Sequence, residues 1–227
     1  SDDPGDKTTR YLLGGNVDGA IIVSHHTSDT YIDRIADSVP VVFGGRPVRE
    51  RGTDYYVDVD NRDGGRVATE HLLARGARRI ATITGPPDMP AGLDRLDGFR
   101  DALAVVGLEP HAIEDGGFTD EGGAAAMRRI LAAGPAPDAI FVASDLMARG
   151  AMSVLSGVGL RVPDDIAIVG FDDSPVATGV VPALTTMRQP SRTQGEVMAH
   201  VLLERLAGRP AERITIMQTE LIIRDSA

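Results

Sequence analysis

Two adjacent carboxylates, Asp172 and Asp173, directly follow the apolar stretch at residues 166–171, IAIVGF. A short, nearly continuous apolar run rich in β-branched residues is typical of a strand buried on both faces of a parallel sheet. Open α/β sheets bind ligands at the carboxyl ends of their strands, and Asp172 lies at such an end. An ionised carboxylate accepts several hydrogen bonds, which suits vicinal sugar hydroxyls or a purine edge. We interpret Asp173 as a turn residue that caps the next helix near Val176 and Ala177.

The sequence lacks the patterns of common catalytic and cofactor-binding sites. Adjacent carboxylates point apart, so Asp172 and Asp173 do not form a paired acid and base. Neither the dinucleotide-binding nor the phosphate-binding glycine pattern occurs, and there is no GxSxG nucleophile elbow. His25 and His26 lack a third ligand at a suitable spacing. We therefore predict a protein that is not an enzyme and that uses neither a metal nor a cofactor.

Composition and charge argue against several classes of protein. The 227 residues carry a net charge of −10 and show no basic face, so the chain is not expected to bind nucleic acid by itself. The absence of cysteine fits a cytoplasmic protein. No apolar run approaches the roughly 18 residues of a membrane span, and residues 1–20 lack a signal-peptide core. We therefore predict a cytoplasmic protein with no membrane partner.

Predicted strands and helices alternate along the chain, after an initial loop or frayed start at residues 1–9 and a short helical piece near residues 10–13. Such alternation predicts an α/β fold with parallel sheets and right-handed crossovers. The strands form two groups, which predicts two doubly wound parallel-sheet subdomains with a ligand cleft between them. The predicted subdomains comprise residues 1–61 plus about 190–210, and residues 62–189 plus about 211–227.

Six segments together resemble the effector-binding core of the LacI/GalR (lactose-repressor/galactose-repressor) family of transcriptional regulators. Each segment is a weak signal alone, but all six occur in order and at the family's spacing over nearly the whole chain. The segments are VDGAII (17–22), VDVDN (57–61) with Gly64-Gly65, RLDGF (95–99), VPDDI (162–166) with GFDD (170–173), PALTTMRQP (182–190) and ELIIRDS (220–226).

The resemblance implies a periplasmic-binding-protein-like fold, a homodimer and a small-molecule effector, most often a sugar and next a nucleoside or purine. The effector would change the closure of the subdomains and thereby the affinity for operator DNA. The family's helix-turn-helix and the first strand, helix and second strand of its core have no counterpart in this sequence. We therefore expect an incomplete amino-terminal subdomain and operator binding only through a missing DNA-binding domain. A solute-binding receptor of a sugar importer is the alternative, although ALTTMRQP and ELIIRDS favour the regulator.

The resemblance also implies ligand-binding residues. Arg95 and Asp172 match the family's ligand guanidinium and ligand carboxylate. Phe118 matches an aromatic floor, although a core position is nearly as plausible, and Gln189 fits a hinge contact and a ligand contact equally well. Ser144 stands where the family commonly has asparagine, and it keeps a hydrogen-bonding group but lacks the paired donor and acceptor of an amide. Two further candidates follow the first predicted strand: Ser24 and His25.

A surface for dimerisation is predicted from the apolar residues at 146–158, which occupy more than one helix face, and from the neighbouring segment 176–184. One buried stripe would not need so many apolar side chains. The predicted interface residues are Ala148, Ala151, Met152, Leu155, Val181 and Leu184.

Overall fold

The structure is a computed structural model and describes residues 4–23 and 31–227. No helix within these two ranges is long and apolar enough to cross a membrane. The chain divides into two compact units. The first unit comprises Ser1–Val59, Asp88–Pro90 and Pro190–Met217, and the second comprises Asp60–Pro87, Ala91–Gln189 and Gln218–Ala227.

Helices and strands alternate through most of the described chain, which confirms the predicted α/β fold. In chain order they are α1 (Pro4–Leu13), β1 (Ala20–Val23), α2 (Tyr31–Ser38), β2 (Val41–Gly44), β3 (Tyr56–Val59), α3 (Asn61–Ala74), β4 (Ile80–Thr84), α4 (Pro90–Val105), β5 (Ala112–Asp115), α5 (Asp120–Ala133), β6 (Ala139–Val142), α6 (Asp145–Gly157), β7 (Ala167–Asp172), α7 (Pro175–Gly179), β8 (Thr185–Arg188), α8 (Ser191–Leu206), β9 (Ile214–Met217) and β10 (Glu220–Ile222).

The first unit contains a four-stranded parallel sheet with the order β1-β2-β3-β9. Because successive side chains of a strand point to opposite faces, β2 contributes to two apolar clusters. Val41 and Phe43 pack with Ile35 of α2 on one face, whereas Val42 packs with Val201 of α8 on the other. The sheet therefore has a helix on each face, as a parallel sheet requires.

Two predictions about this unit are wrong. Residues from about 211 onward were assigned to the second subdomain, but β9 pairs with β3 in the first sheet. The apolar pattern marks an extended segment without revealing which sheet edge will accept it. The predicted loop at residues 1–9 is also wrong from Pro4 onward, because α1 begins there. Proline is favoured in the first turn of a helix, where its missing N–H is not needed.

The second unit contains a six-stranded sheet with the order β10-β8-β7-β6-β4-β5. All neighbouring strands are parallel except β10, which runs antiparallel to β8. The predicted buried strand is β7, which lies in the interior of this sheet. Its residues Ile168, Val169 and Phe171 are fully buried. Parallel sheets are thus confirmed, and β7 holds Asp172 at its carboxyl end.

Helices α5 and α6 pack closely because two glycines lie at their contact. A Cβ atom on Gly123 would lie 2.2 Å from the carbonyl oxygen of Met147, and one on Gly150 would lie 2.0 Å from that of Asp120. Thr119 is the N-cap of α5, since its hydroxyl accepts a hydrogen bond from the Gly122 N–H at 2.9 Å. This packing supports α6, whose amino terminus lies beside the carboxyl end of β6.

Gly150→Ala should lower the free energy of unfolding by about 1–3 kcal/mol, because the added methyl group must push α5 and α6 apart. Gly157→Ala is the matched control, since a Cβ atom at Gly157 meets nothing within 4 Å. The control should leave the free energy of unfolding unchanged or raise it slightly. Urea denaturation measures both variants, and equal losses of stability would contradict close packing at Gly150.

Candidate functional site

The carboxyl edge of the second sheet collects several of the predicted ligand-binding residues. Asp172 ends β7, Gln189 follows β8 and Ser144 follows β6 by two residues. Phe118 lies in the loop after β5. Because parallel strands end at a common edge, this is where an open α/β sheet binds ligands.

Arg95 on α4 reaches this edge as a nearly buried side chain, with 5% of the residue exposed. Its Nε donates to Asn61 Oδ1 at 2.9 Å, and its Nη1 donates to the Ala143 carbonyl oxygen at 2.6 Å. The guanidinium carbon lies 3.6 Å from the centre of the Phe171 ring. Stacking and hydrogen bonding from different directions hold the planar group in a defined orientation.

Asp172 lies beside Arg95, with 3.6 Å between Asp172 Oδ1 and Arg95 Nη1. The same oxygen accepts a hydrogen bond from Gln189 Nε2 at 2.6 Å. Burial raises the pKa of Asp172 above its ordinary value, although Arg95 and Gln189 act in the opposite direction. About a third of the side chain, 32%, remains exposed and can accept hydrogen bonds from a ligand.

Phe118 lies between the core of the second unit and Arg95. Its ring covers Gly85, where a Cβ atom would lie 2.1 Å from the ring, and it packs partly against the core of the second unit. The Arg95 guanidinium carbon lies 5.7 Å from the ring centre. The half-buried ring therefore belongs to the core and also borders the guanidinium that we expect to contact the ligand.

The other predicted ligand-binding residues have different positions. Ser144 is a buried N-cap, whose hydroxyl accepts a hydrogen bond from the Met147 N–H of α6 at 3.3 Å. Ser24 and His25 lie outside the described residues. Among the described residues, no group of three or more histidine, aspartate or glutamate side chains could hold a metal ion.

The prediction that Asp173 caps the next helix is wrong. Ser174 is the N-cap residue of α7, and no side-chain capping hydrogen bond is formed there. The Asp173 carboxylate instead accepts hydrogen bonds from Arg188 Nε at 2.7 Å and from Arg224 Nη2 at 2.5 Å. Two guanidinium partners attract a carboxylate more strongly than uncharged backbone N–H groups.

Sequence reasoning missed Asp145, a fully buried carboxylate beneath the site. Asp145 Oδ1 accepts a hydrogen bond from the Thr186 hydroxyl at 2.6 Å, and Oδ2 accepts one from the Ser174 N–H at 2.7 Å. A Cβ atom on Gly170 would lie 2.6 Å from Oδ1, so the glycine of the GFDD segment makes room for this carboxylate. Burial raises the pKa of Asp145 to about 6. An acidic residue just after a buried strand was the available signal.

Most of the predicted interface residues are buried within the chain itself. Helix α6 packs on both α5 and the sheet of its own unit, and four of the predicted residues belong to the resulting core. The prediction that they form a surface is therefore wrong for Ala148, Ala151, Leu155 and Leu184. Val181 is 96% exposed. Met152 is nearly buried but lines, together with Val181, a groove of about 270 Å³.

Comparisons with known proteins agree with this fold. The family model of the periplasmic binding protein-like domain matches residues 69–227. The chain is 45% identical over 222 residues to the HTH-type transcriptional regulator CelR of Thermobifida fusca, covering 95% of this chain and 65% of that protein. It is 33% identical over 209 residues to the transcriptional repressor PurR of Edwardsiella ictaluri, covering 90% of this chain and 61% of that protein. The chain therefore spans somewhat less than two thirds of these relatives' length.

Solved structures give the same picture. A structure of a transcriptional regulator CelR–cellobiose complex has a TM-score of 0.95 and 42% identity, covering 100% of this chain and 71% of that one. A LacI family transcriptional regulator from Mycobacterium smegmatis has a TM-score of 0.89 and 34% identity, covering 99% of this chain and 84% of that one. Both similarities extend over both units.

The raised pKa of Asp145 predicts a specific dependence of stability on pH. The folded chain keeps a proton up to about pH 6 that the unfolded chain releases near 3.8, so this stabilisation is complete below 3.8 and is lost as pH rises through 6. The free energy of unfolding, relative to that of Asp145→Asn, should therefore fall by up to about 3 kcal/mol across this window. Urea denaturation of both proteins at several pH values measures the difference, and a constant difference would contradict the shift.

Proposed function

Because the chain belongs to the LacI family of transcriptional regulators, we propose that it is the effector-sensing and dimerisation core of such a regulator. We further propose that a sugar is the effector and that Arg95 and Asp172 bind it. Homodimerisation, and operator binding through a DNA-binding domain outside this sequence, belong to the same proposal. The importer-receptor alternative has less support, since the relatives named above are regulators and a repressor.

The observation that carries the sugar proposal is the guanidinium of Arg95 beside the carboxylate of Asp172. A fixed donor next to a fixed acceptor is complementary to vicinal hydroxyl groups, each of which donates and accepts a hydrogen bond. The neighbouring ring of Phe118 offers an apolar surface for the face of a sugar ring. The amide of Gln189, bound to Asp172, completes a site whose groups suit an uncharged polyhydroxyl ligand.

Cellobiose is the first candidate, because the CelR structure with 42% identity is a complex with this disaccharide. A purine is the second candidate, since the similarity to PurR extends over 90% of the chain at lower identity. Either effector could regulate DNA binding only by binding one conformation of the protein more tightly than another. That difference in affinity limits how far the operator equilibrium can shift.

Calorimetric titration should show that the chain binds cellobiose in preference to adenine. Asp172→Asn should weaken cellobiose binding by roughly tenfold to a hundredfold, as expected for loss of a hydrogen bond to a charged acceptor. Asp165→Asn is the matched control, because Asp165 precedes β7, is similarly exposed at 34%, and pairs with Arg161. Equal affinities for cellobiose in all three proteins would place its site elsewhere.

Val181→Asp should convert the proposed dimer to a monomer, because an exposed valine that lines the groove with Met152 would be replaced by a charge that is costly to bury. Val105→Asp is the control, since Val105 is also highly exposed, at 84%, but lies at the end of α4. Sedimentation velocity at micromolar concentration measures the oligomeric state. A dimer that persists in Val181→Asp would exclude this groove as the interface.

A further inference from the structure

The turn that follows β7 has an unusual backbone conformation. Asp172 has a φ of 115° and Asp173 a φ of 53°, a range that L residues rarely adopt. Such residues are unfavourable locally and persist only where the surroundings hold them. The proposed ligand carboxylate therefore sits on a backbone that neighbouring side chains must stabilise.

The side chain of Asp173 forms two ion pairs at this turn. Its two oxygens accept hydrogen bonds from different arginines, Arg188 on β8 and Arg224 after β10. Only 9% of the side chain is exposed. Burial opposes ionisation of Asp173, but the hydrogen bonds and charges of the two arginines outweigh it and hold the pKa below its ordinary value. The ionised carboxylate thus ties the turn to two separate elements.

Strand β8 and Gln189, which follows it, also determine the surroundings of Asp172. Asp172 pairs with Arg188 in the register of β7 and β8, and its carbonyl oxygen accepts a hydrogen bond from the Gln189 N–H at 3.3 Å. Gln189 also donates from its side chain to Asp172 Oδ1. A rotation of the peptide between Asp172 and Asp173 would break the hydrogen bond from the Gln189 N–H to the Asp172 carbonyl oxygen. Gln189 and Asp172 Oδ1 would then lose their common anchor, and the Asp172 carboxylate its fixed position beside Gln189 and Arg95.

We propose that Asp173 is a positioning residue for the effector site, whose ion pairs with Arg188 and Arg224 hold the turn so that the Asp172 carboxylate faces Arg95 and Gln189. Asp173 does not contact the effector itself, because both of its oxygens are bound to arginines. The consequence for effector affinity rests on the proposed function. The consequence for the position of Asp172 does not, because it concerns the ligand-free chain.

The test is Asp173→Asn, which keeps the size of the side chain and removes its charge. Two properties are measured: the dissociation constant for cellobiose by calorimetry, and the side-chain amide signals of Gln189 in the ligand-free protein by NMR. The affinity for cellobiose should fall by about tenfold or more, because the Asp172 carboxylate would no longer be held toward Arg95. A tenfold loss corresponds to roughly 1.4 kcal/mol of binding free energy. The Gln189 signals should shift, because the acceptor of this amide has moved.

Glu220→Gln is the matched control. Glu220 is another carboxylate partner of Arg188, at 3.2 Å, and its loss changes the net charge equally while leaving both ion pairs of Asp173 intact. The control should bind cellobiose like the unaltered chain and leave the Gln189 signals in place. Equal behaviour of Asp173→Asn and Glu220→Gln in both measurements would overturn the proposal. A change in affinity without a shift at Gln189, or the reverse, would also overturn it.

Two results would prevent the full comparison: no binding of cellobiose by the unaltered chain, or failure of Asp173→Asn to fold. Each leaves a measurement that still decides the proposal. If the unaltered chain does not bind cellobiose, the proposed sugar is wrong, and the Gln189 signals alone decide whether Asp173 positions Asp172. If Asp173→Asn does not fold, Arg188→Gln removes only one of the two partners, from a side chain that is 46% exposed. That variant should still weaken cellobiose binding and shift the Gln189 signals relative to the unaltered chain, and no change in either would overturn the proposal.

Discussion

The contact between the guanidinium of Arg95 and the ring of Phe171, at 3.6 Å, is central to the site. It brings a permanently charged group from α4 onto the buried strand that carries Asp172. A buried charge is costly unless hydrogen bonds and counter-charges satisfy it, and Asn61, Ala143 and Asp172 surround this guanidinium. The residues that reduce the cost of burying Arg95 also fix its orientation. A ligand would therefore meet donors and an acceptor that need little rearrangement.

The turn after β7, unlike the Arg95 side chain, has an unfavourable conformation of its own that neighbouring groups must stabilise. Two consecutive aspartates adopt positive φ angles, which is unfavourable locally, and two networks of charged hydrogen bonds compensate. Asp145 holds the turn from beneath through the Ser174 N–H, and Asp173 holds it from the side through Arg188 and Arg224. Strain of this kind is common at ligand sites, where neighbouring structure determines the backbone. The position of Asp172 then follows from its surroundings rather than from its own preference.

Sequence patterns predicted the features that depend on local order. The apolar run predicted as a strand at residues 166–171 lies within one residue of the observed bounds of β7, because such a pattern is a local signal. The adjacency of Arg95 and Asp172 was suggested only by the family resemblance, since nothing local connects residues so far apart in sequence.

Other features depend on partners that are distant in sequence, and these were mispredicted. The apolar pattern of β9 does not reveal that β3 accepts it, and the several apolar faces of α6 do not reveal that its own chain covers them. The arginines that bind Asp173 lie 15 and 51 residues farther along the chain. Asp145 was overlooked because the sequence does not reveal that Thr186 and Ser174 donate hydrogen bonds to its carboxylate.

A crystal structure of the chain with cellobiose tests most directly whether Arg95 and Asp172 recognise the effector. We predict sugar hydroxyl groups within hydrogen-bonding distance of the Arg95 guanidinium and the Asp172 carboxylate, with a ring of the sugar against Phe118. Cellobiose bound at another surface, with none of its hydroxyl groups in contact with Arg95 or Asp172, would contradict effector recognition at the carboxyl edge of the second sheet.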